Sequence, residues 1–208
     1  MRSAGDEDLT ARAAIRNAAL RLFADHGADA VTVRQIAALA GVSPALVLHH
    51  FGSKAGLCQA VDEFAAGAFD QLLETGGQED LLEAMTGGDA ASLAAAFAQV
   101  FPADSPLPAY LRRLLLSGDP AGAALFARWF EGTQALLQVL DAQGLARPSR
   151  DPAVRAAFLL ANDLALVLLR DRITESLGFD PLSPEGVQRW GAEVTDVYAH
   201  GAWKGGPQ

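Results

Sequence analysis

The chain has 208 residues, of which half are hydrophobic and 20% are charged, and its formal net charge is −9 at pH 7. This composition is typical of a folded helical protein and excludes an intrinsically disordered one. The longest apolar stretch, residues 156–169, is shorter than the roughly 20 residues of a membrane span, and the acidic N-terminus has no apolar run, so we expect a cytoplasmic protein without signal peptide or membrane contact.

Capping signals predict the first helices. One helix is expected from Thr10 to Gly27, because apolar residues recur there at helical spacing. Thr32 and Gln35 form a T-x-x-Q capping box that opens a second helix, and this helix is expected to end at Gly41 in the left-handed conformation.

Two signals predict the further helices. One is a serine or aspartate N-cap followed by proline at the first helical position, and the other is the recurrence of apolar residues at helical spacing. Ser43 and Pro44 open the third helix, and Ser53 caps a fourth that runs towards residue 73. Later helices are expected over residues 93–101, 107–116, 120–144, 152–177 and 184–200. The sequence has no alternation of apolar and polar residues long enough to indicate a strand. The predicted fold class is therefore all-α with about nine helices.

Residues 33–51 have the pattern of a helix-turn-helix unit. Two short helices that cross need a small residue at the crossing and a glycine in the turn, and Ala37 and Gly41 occupy these positions. In such a unit the second helix enters the major groove of DNA, while flanking groups hold phosphates. The apolar contacts between the two helices are assigned to Ile36, Ala40, Val42 and Val47.

The charge distribution agrees with this interpretation. Residues 1–60 carry six Lys and Arg against five Asp and Glu, a net charge of +1, whereas residues 61–208 carry ten against twenty, a net charge of −10. Thr32, Arg34 and Lys54 stand at predicted helix N-termini, where free N–H groups and the helix dipole favour phosphate.

The segment VTVRQIAALAGVSPALVLHHFGSKAGLCQAV, with the preceding RLFADHG, resembles the DNA-binding part of TetR-type transcriptional regulators. The resemblance covers about residues 10–63, and beyond it only the helical architecture agrees. It implies a DNA-binding domain over residues 1–60 and a ligand-binding and dimerisation domain over residues 61–208. It also implies a homodimeric repressor that a small-molecule effector releases from a palindromic double-stranded operator.

The resemblance also implies individual DNA contacts. Thr32 and the Val33 backbone would meet phosphate, and Arg34 would meet phosphate or a base edge. The bases would face Pro44, Ala45 and Leu46, for which thymine methyl groups are the available partners, and His49, His50 and Lys54 would hold phosphate. Ser43 is expected to act first as a cap. Leu48 stands where the family commonly has tyrosine, so a phosphate contact there moves to His49 or is absent.

The adjacent histidines leave two interpretations open. Neighbouring helical side chains point about 100° apart, so His49 and His50 do not converge on one metal ion, and no nucleophile is spaced for catalysis. At least one of them contacts phosphate, or they pack the third helix against the fourth. We interpret His49 as exposed and His50 as partly structural, and we expect no enzyme activity, metal or cofactor.

The larger domain contains candidate ligand contacts. Asn162 and Asp163 interrupt an apolar helix and need partners, which could be a ligand, Arg128 or Arg155, or a second subunit. The aromatic residues could line a pocket or form the core. The candidate ligand-binding residues are Phe97, Phe101, Tyr110, Phe126, Trp129, Phe130, Asn162 and Asp163.

The last two predicted helices are apolar on more than one face. This pattern favours a homodimer through residues of about 152–200, with a monomer core as the alternative. The competing function for the whole chain is a helical ligand-binding or adaptor protein without DNA binding.

Overall fold

The computed structural model describes residues 4–75 and 104–200. The predicted helix over residues 93–101, with Phe97 and Phe101, lies outside the described residues. Nine helices and no strand occur in the described part, which confirms the all-α class. The helices are α1 (Ala4–His26), α2 (Val33–Ala40), α3 (Pro44–Phe51), α4 (Lys54–Thr75), α5 (Leu107–Leu116), α6 (Pro120–Ala142), α7 (Pro152–Leu168), α8 (Arg170–Leu177) and α9 (Pro184–His200).

Two predicted helix limits were wrong. Helix α1 begins at Ala4 instead of Thr10. The single helix predicted over residues 152–177 is two helices, α7 and α8, which meet at Leu169 with a bend of 76°. At the bend the Arg170 guanidinium donates to both carboxylate oxygens of Asp180, which connects the start of α8 to the segment before α9.

The described residues form two compact units. The first contains residues 4–68 and 105–125, and the second contains residues 69–75, 104 and 126–200. The domain boundary expected after residue 60 falls inside α4, and α5 packs against α1 within the first unit. No single described helix is long and apolar enough to cross a membrane, although the bent pair α7 and α8 together meets those criteria.

The first unit has a fully buried apolar core. Helix α1 contributes the largest part, α2 and α3 pack on it, and α5 covers another side. Arg113 of α5 donates to the carbonyl oxygens of Ala24 and Asp25, at 3.4 and 3.3 Å, and so caps the C-terminus of α1. The core side chains include Ile15, Phe23, Val31, Ile36, Val47, Leu57, Val61 and Leu111.

Candidate nucleic-acid interface

The turn between α2 and α3 is built by the residues that the sequence indicated. The Gln35 backbone N–H donates to Thr32 Oγ1 at 3.3 Å, and the Thr32 N–H donates to Gln35 Oε1 at 2.8 Å, which confirms the capping box. Gly41 has φ of 69°, and the N–H of Val42 donates to the Ala37 carbonyl at 2.9 Å. A side chain at position 41 would be strained, so this glycine sets the direction of α3.

Helix α3 starts at Pro44. The Ser43 hydroxyl accepts a hydrogen bond from the Leu46 N–H at 3.2 Å, and this confirms Ser43 as the N-cap. Val47 is buried in the core and Leu46 is half-buried. The outward residues of the helix are Pro44, Ala45, Leu48 and His49.

The two histidines face different surroundings. His49 is exposed, whereas the His50 side chain retains only 5% of its surface. His50 Nε2 lies 3.7 Å from Asp8 Oδ1, and the His50 ring contacts the Phe51 ring edge-on. The side chain of His50 is therefore packed between α3 and α1, and the outward imidazole is that of His49.

The cationic candidates lie at the starts of α2 and α4. Arg34 is exposed at the second position of α2, next to the exposed N-cap Thr32 and the half-buried Val33. Lys54 begins α4, and its Nζ donates to the Asp29 carbonyl oxygen at 3.4 Å. Because Asp29 lies three residues before Thr32, this contact brings the start of α4 close to the segment that leads into α2.

The junction between α3 and α4 depends on a glycine that the sequence patterns did not indicate. The Gly56 N–H donates to Ser53 Oγ at 3.0 Å, which confirms Ser53 as the cap of α4. A Cβ on Gly56 would collide with the carbonyl oxygen of Phe51. The last turn of α3 therefore packs directly against the first turn of α4.

Two arginines of α1 also hold this arrangement. The Arg12 guanidinium lies over the Phe51 ring, 5.2 Å from its centroid, and the Arg16 guanidinium lies 3.8 Å from the centroid of Phe64. Their spacing of four residues places them on one face of α1, and this spacing is the sequence signal that could have identified them. Cation–π contacts thus fix α3 and α4 against α1.

Tyr110, a candidate ligand contact, lies in the first unit. Its side chain is buried, and its hydroxyl donates to Asp62 Oδ1 of α4 at 2.5 Å. Burial, reinforced by the neighbouring carboxylate, raises the pKa of the Tyr110 hydroxyl. Burial also raises the pKa of Asp62, while the hydrogen bond from Tyr110 opposes that rise. This pair joins α4 to α5.

The candidates of the second unit have unlike environments. Trp129 is buried, Phe130 is half-buried and Phe126 is exposed. Arg155, a possible partner of Asn162 and Asp163, instead donates to the carbonyl oxygens of residues 147 and 148.

Asp163 has an unusual position on α7. Ala156, Leu160 and Val167, at spacings of seven, three and four residues, are all buried, so Asp163 shares its side of the helix with buried residues although it is itself exposed. The carboxylate keeps solvent-accessible surface, but burial in the surrounding protein raises its pKa to about 6, an effect that the Asn162 side chain opposes. A titratable, solvent-accessible acid thus lies beside the buried residues of α7.

Comparison with known proteins identifies two family models. Residues 15–61 match the model described as bacterial regulatory proteins, tetR family. Residues 103–203 match the model described as tetracyclin repressor-like, C-terminal domain. The two matches include the helix-turn-helix unit and every described helix from α5 to α9.

Curated relatives and a solved structure agree with these matches. The HTH-type transcriptional regulatory protein RaaS of Mycobacterium tuberculosis is 40% identical over 159 residues, which are 76% of this chain and 69% of RaaS. An HTH-type transcriptional repressor of the same species is 36% identical over 175 residues, 82% of this chain and 79% of the relative. AibR, solved with isovaleryl coenzyme A and operator DNA, is 21% identical with a TM-score of 0.58, over 90% of this chain and 97% of AibR.

Proposed function

Because the chain belongs to the TetR family of DNA-binding transcriptional regulators, which are not enzymes, we propose that it is a homodimeric repressor that a small-molecule effector releases from a palindromic operator. Residues 1–60 are the proposed DNA-binding domain, and residues 61–208 bind the effector and dimerise. The observation that carries the proposal is the outward face of α3, which is held in a capped helix-turn-helix between the starts of α2 and α4.

The proposed DNA contacts follow from exposure on α3 and from position at the starts of α2 and α4. Free N–H groups at the start of α2 and cations at the starts of α2 and α4 bind phosphate, while the outward side chains of α3 meet the bases. Leu46 and His50 face inward and are assigned to packing. The proposed phosphate contacts are Thr32, Val33, Arg34, His49 and Lys54, and the proposed base contacts are Pro44, Ala45 and Leu48.

An apolar surface of α7 supports dimerisation. Val154 and Phe158 lie on one side of α7, Leu169 follows at the bend, and all three are exposed, with 65% of the surface of Phe158 accessible to solvent. An exposed apolar stripe of this kind is typical of a subunit interface. Two subunits also explain how a DNA-binding domain with a net charge of only +1 gains affinity, because two copies engage two half-sites.

The effector site is proposed around Asp163 of α7 and the aromatic residues of α6. AibR holds isovaleryl coenzyme A, so acyl-coenzyme A thioesters belong in a first screen. The net charge of −10 over residues 61–208 opposes such polyanions and favours neutral or cationic apolar molecules. An effector that binds better to the conformation with misaligned DNA-binding domains shifts the population away from operator binding.

Footprinting and salt-dependent binding test the proposal. The full-length protein should protect a palindromic site in a duplex from upstream of its own gene, and its affinity should fall steeply with salt because counterions are released from phosphates. The double variant Arg34→Ala with Lys54→Ala removes up to four contacts per dimer, so the slope of log affinity against log salt should decrease by roughly three to four.

The matched control is Arg150→Ala, which removes an exposed cation from the segment before α7. Its affinity and salt slope should equal those of the unchanged protein. An unaltered slope in the double variant would contradict the phosphate assignments. Absence of any protected site would favour the adaptor function instead.

A further inference from the structure

The outward surface of α3 is almost entirely apolar. On a helix with about 100° per residue, Pro44, Leu48, Ala45 and His49 fall side by side within about 140° of the circumference. These four residues are exposed, whereas Leu46, Val47, His50 and Phe51 on the opposite side are buried or half-buried. We call the four exposed residues the reading face. Three of its members have no hydrogen-bonding side chain.

Direct readout of bases by hydrogen bonds needs particular side chains. Guanine is read by bidentate arginine or lysine, adenine by asparagine or glutamine, and cytosine by a carboxylate. Helix α3 has the sequence PALVLHHF and contains none of these residues. The hydroxyl of Ser43 is engaged with the Leu46 N–H, and His50 is directed towards Asp8. One imidazole, that of His49, supplies the polar contact of the reading face.

Apolar groups read a different feature of the major groove. Thymine presents a 5-methyl group there, and contact with an apolar side chain is its usual mode of recognition. Leu48 is the largest member of the reading face, and 45% of its surface is exposed to solvent although its neighbour Val47 is buried. Covering Leu48 with a methyl group removes apolar surface from water on both partners.

We propose that Leu48, flanked by Ala45 and Pro44, makes this protein select its operator through thymine methyl groups. This inference rests on the proposed function as an operator-binding regulator and names the chemistry of its partner. Leucine at position 48 is then a specificity residue. Each half-site should present thymine methyls towards the reading face, and hydrogen bonds to purine edges should contribute little to selectivity.

Deoxyuridine substitution tests this inference. Uracil lacks the 5-methyl group and keeps the base pairing of thymine, so replacing one thymine at a time in both half-sites of the footprinted operator removes only that group. At one or two symmetric positions, loss of the methyls should weaken binding by about fourfold per half-site, or about fifteenfold for the dimer. Fluorescence anisotropy at fixed salt measures the affinities.

Two variants assign the effect to Leu48. The Leu48→Ala variant should bind the unmodified operator more weakly than the unchanged protein does. At the thymine positions where uracil weakens the unchanged protein, which we call the critical positions, uracil should cause little further loss of affinity in this variant. The control Leu39→Ala shortens another exposed leucine, on α2 with 51% of its surface exposed, and should respond to uracil like the unchanged protein. Circular dichroism melts establish that both variants are folded.

A rescue provides an independent measurement. Replacing the critical T·A pair by C·G should weaken binding, and 5-methylcytosine in the same pair should recover part of the affinity, because the methyl group returns to the same place in the groove. The inference is overturned if no uracil position weakens the unchanged protein, or if Leu48→Ala keeps the full sensitivity to uracil. In both cases tight binding of the unmodified operator would leave the proposed function standing. Failure to bind that operator would overturn the proposed function, and the inference with it.

Discussion

Replacing Asp163 by asparagine should stabilise the effector-free protein in a pH-dependent way. Burial raises the pKa of this carboxyl group from an ordinary value of 3.8 to about 6. The folded state therefore binds the proton more tightly than the unfolded state does, and ionisation of Asp163 costs stability. The cost is absent below about pH 4, grows as the pH rises, and is complete above the folded pKa of about 6.

The size of the effect follows from the same shift. Each pKa unit corresponds to about 1.4 kcal/mol, so the full rise sets an upper limit of about 3 kcal/mol. Because Asp163 keeps exposed surface, solvent screening reduces this figure, and we expect a gain of about 1 kcal/mol for Asp163→Asn at pH 7.5. A gain of this size raises the melting temperature by roughly 2–4 °C for a chain of this length.

Thermal melts of both proteins between pH 4 and pH 8 measure the effect. The difference in melting temperature should vanish near pH 4 and reach its full size above pH 6. The control Glu193→Gln neutralises an exposed carboxylate of α9 and should show no such profile. A stability gain that is equal at pH 4 and pH 7.5, or a loss at pH 7.5, would refute the assignment of Asp163 to an environment that raises its pKa.

Three further substitutions test the packing and the proposed dimer. Gly56→Ala should destabilise the protein and weaken operator binding at least tenfold, because the new Cβ would collide with the Phe51 carbonyl. In an unobstructed helix, alanine would instead raise the free energy of unfolding by about 1 kcal/mol. The sign of the change in this free energy, measured by urea unfolding, therefore distinguishes the two cases. Tyr110→Phe removes a hydrogen bond to the Asp62 carboxylate and should lower the free energy of unfolding by about 2 kcal/mol, and a change below roughly 0.5 kcal/mol in urea unfolding would contradict this role. Phe158→Glu places a charge in the proposed interface and should convert the dimer to a monomer in sedimentation velocity; a dimer that persists would exclude this side of α7.

Several features of the DNA-binding part were predictable because their causes are local. A capping box needs only Thr32 and Gln35 three residues apart, and a left-handed turn needs only Gly41. Ser43 before proline likewise forms its cap without help from distant residues. These signals lie within single turns of the chain, so the sequence by itself determined the helix-turn-helix and, through the family resemblance, the expectation of DNA binding.

Other features depend on contacts between residues far apart in the chain. No glycine or proline in the sequence indicates the bend at Leu169, and the ion pair of Arg170 with Asp180 joins residues ten positions apart beside it. From the sequence, Tyr110 was grouped with the aromatic residues of the larger domain. In the structure it belongs to the first unit, where its hydroxyl donates to Asp62.

The orientation of each helix was likewise decided by tertiary structure. Periodicity shows that α3 has two sides, but only packing against α1 turns His50 inward and leaves Leu48 exposed. Asp163 is an interruption of an apolar run in the sequence, and only the structure shows that it is exposed beside buried neighbours of α7 and has a raised pKa. Helix formation depends on neighbours in sequence, whereas burial and pKa depend on whatever the fold brings near, and for this reason only the tertiary structure decided the exposure of Leu48 and the environment of Asp163.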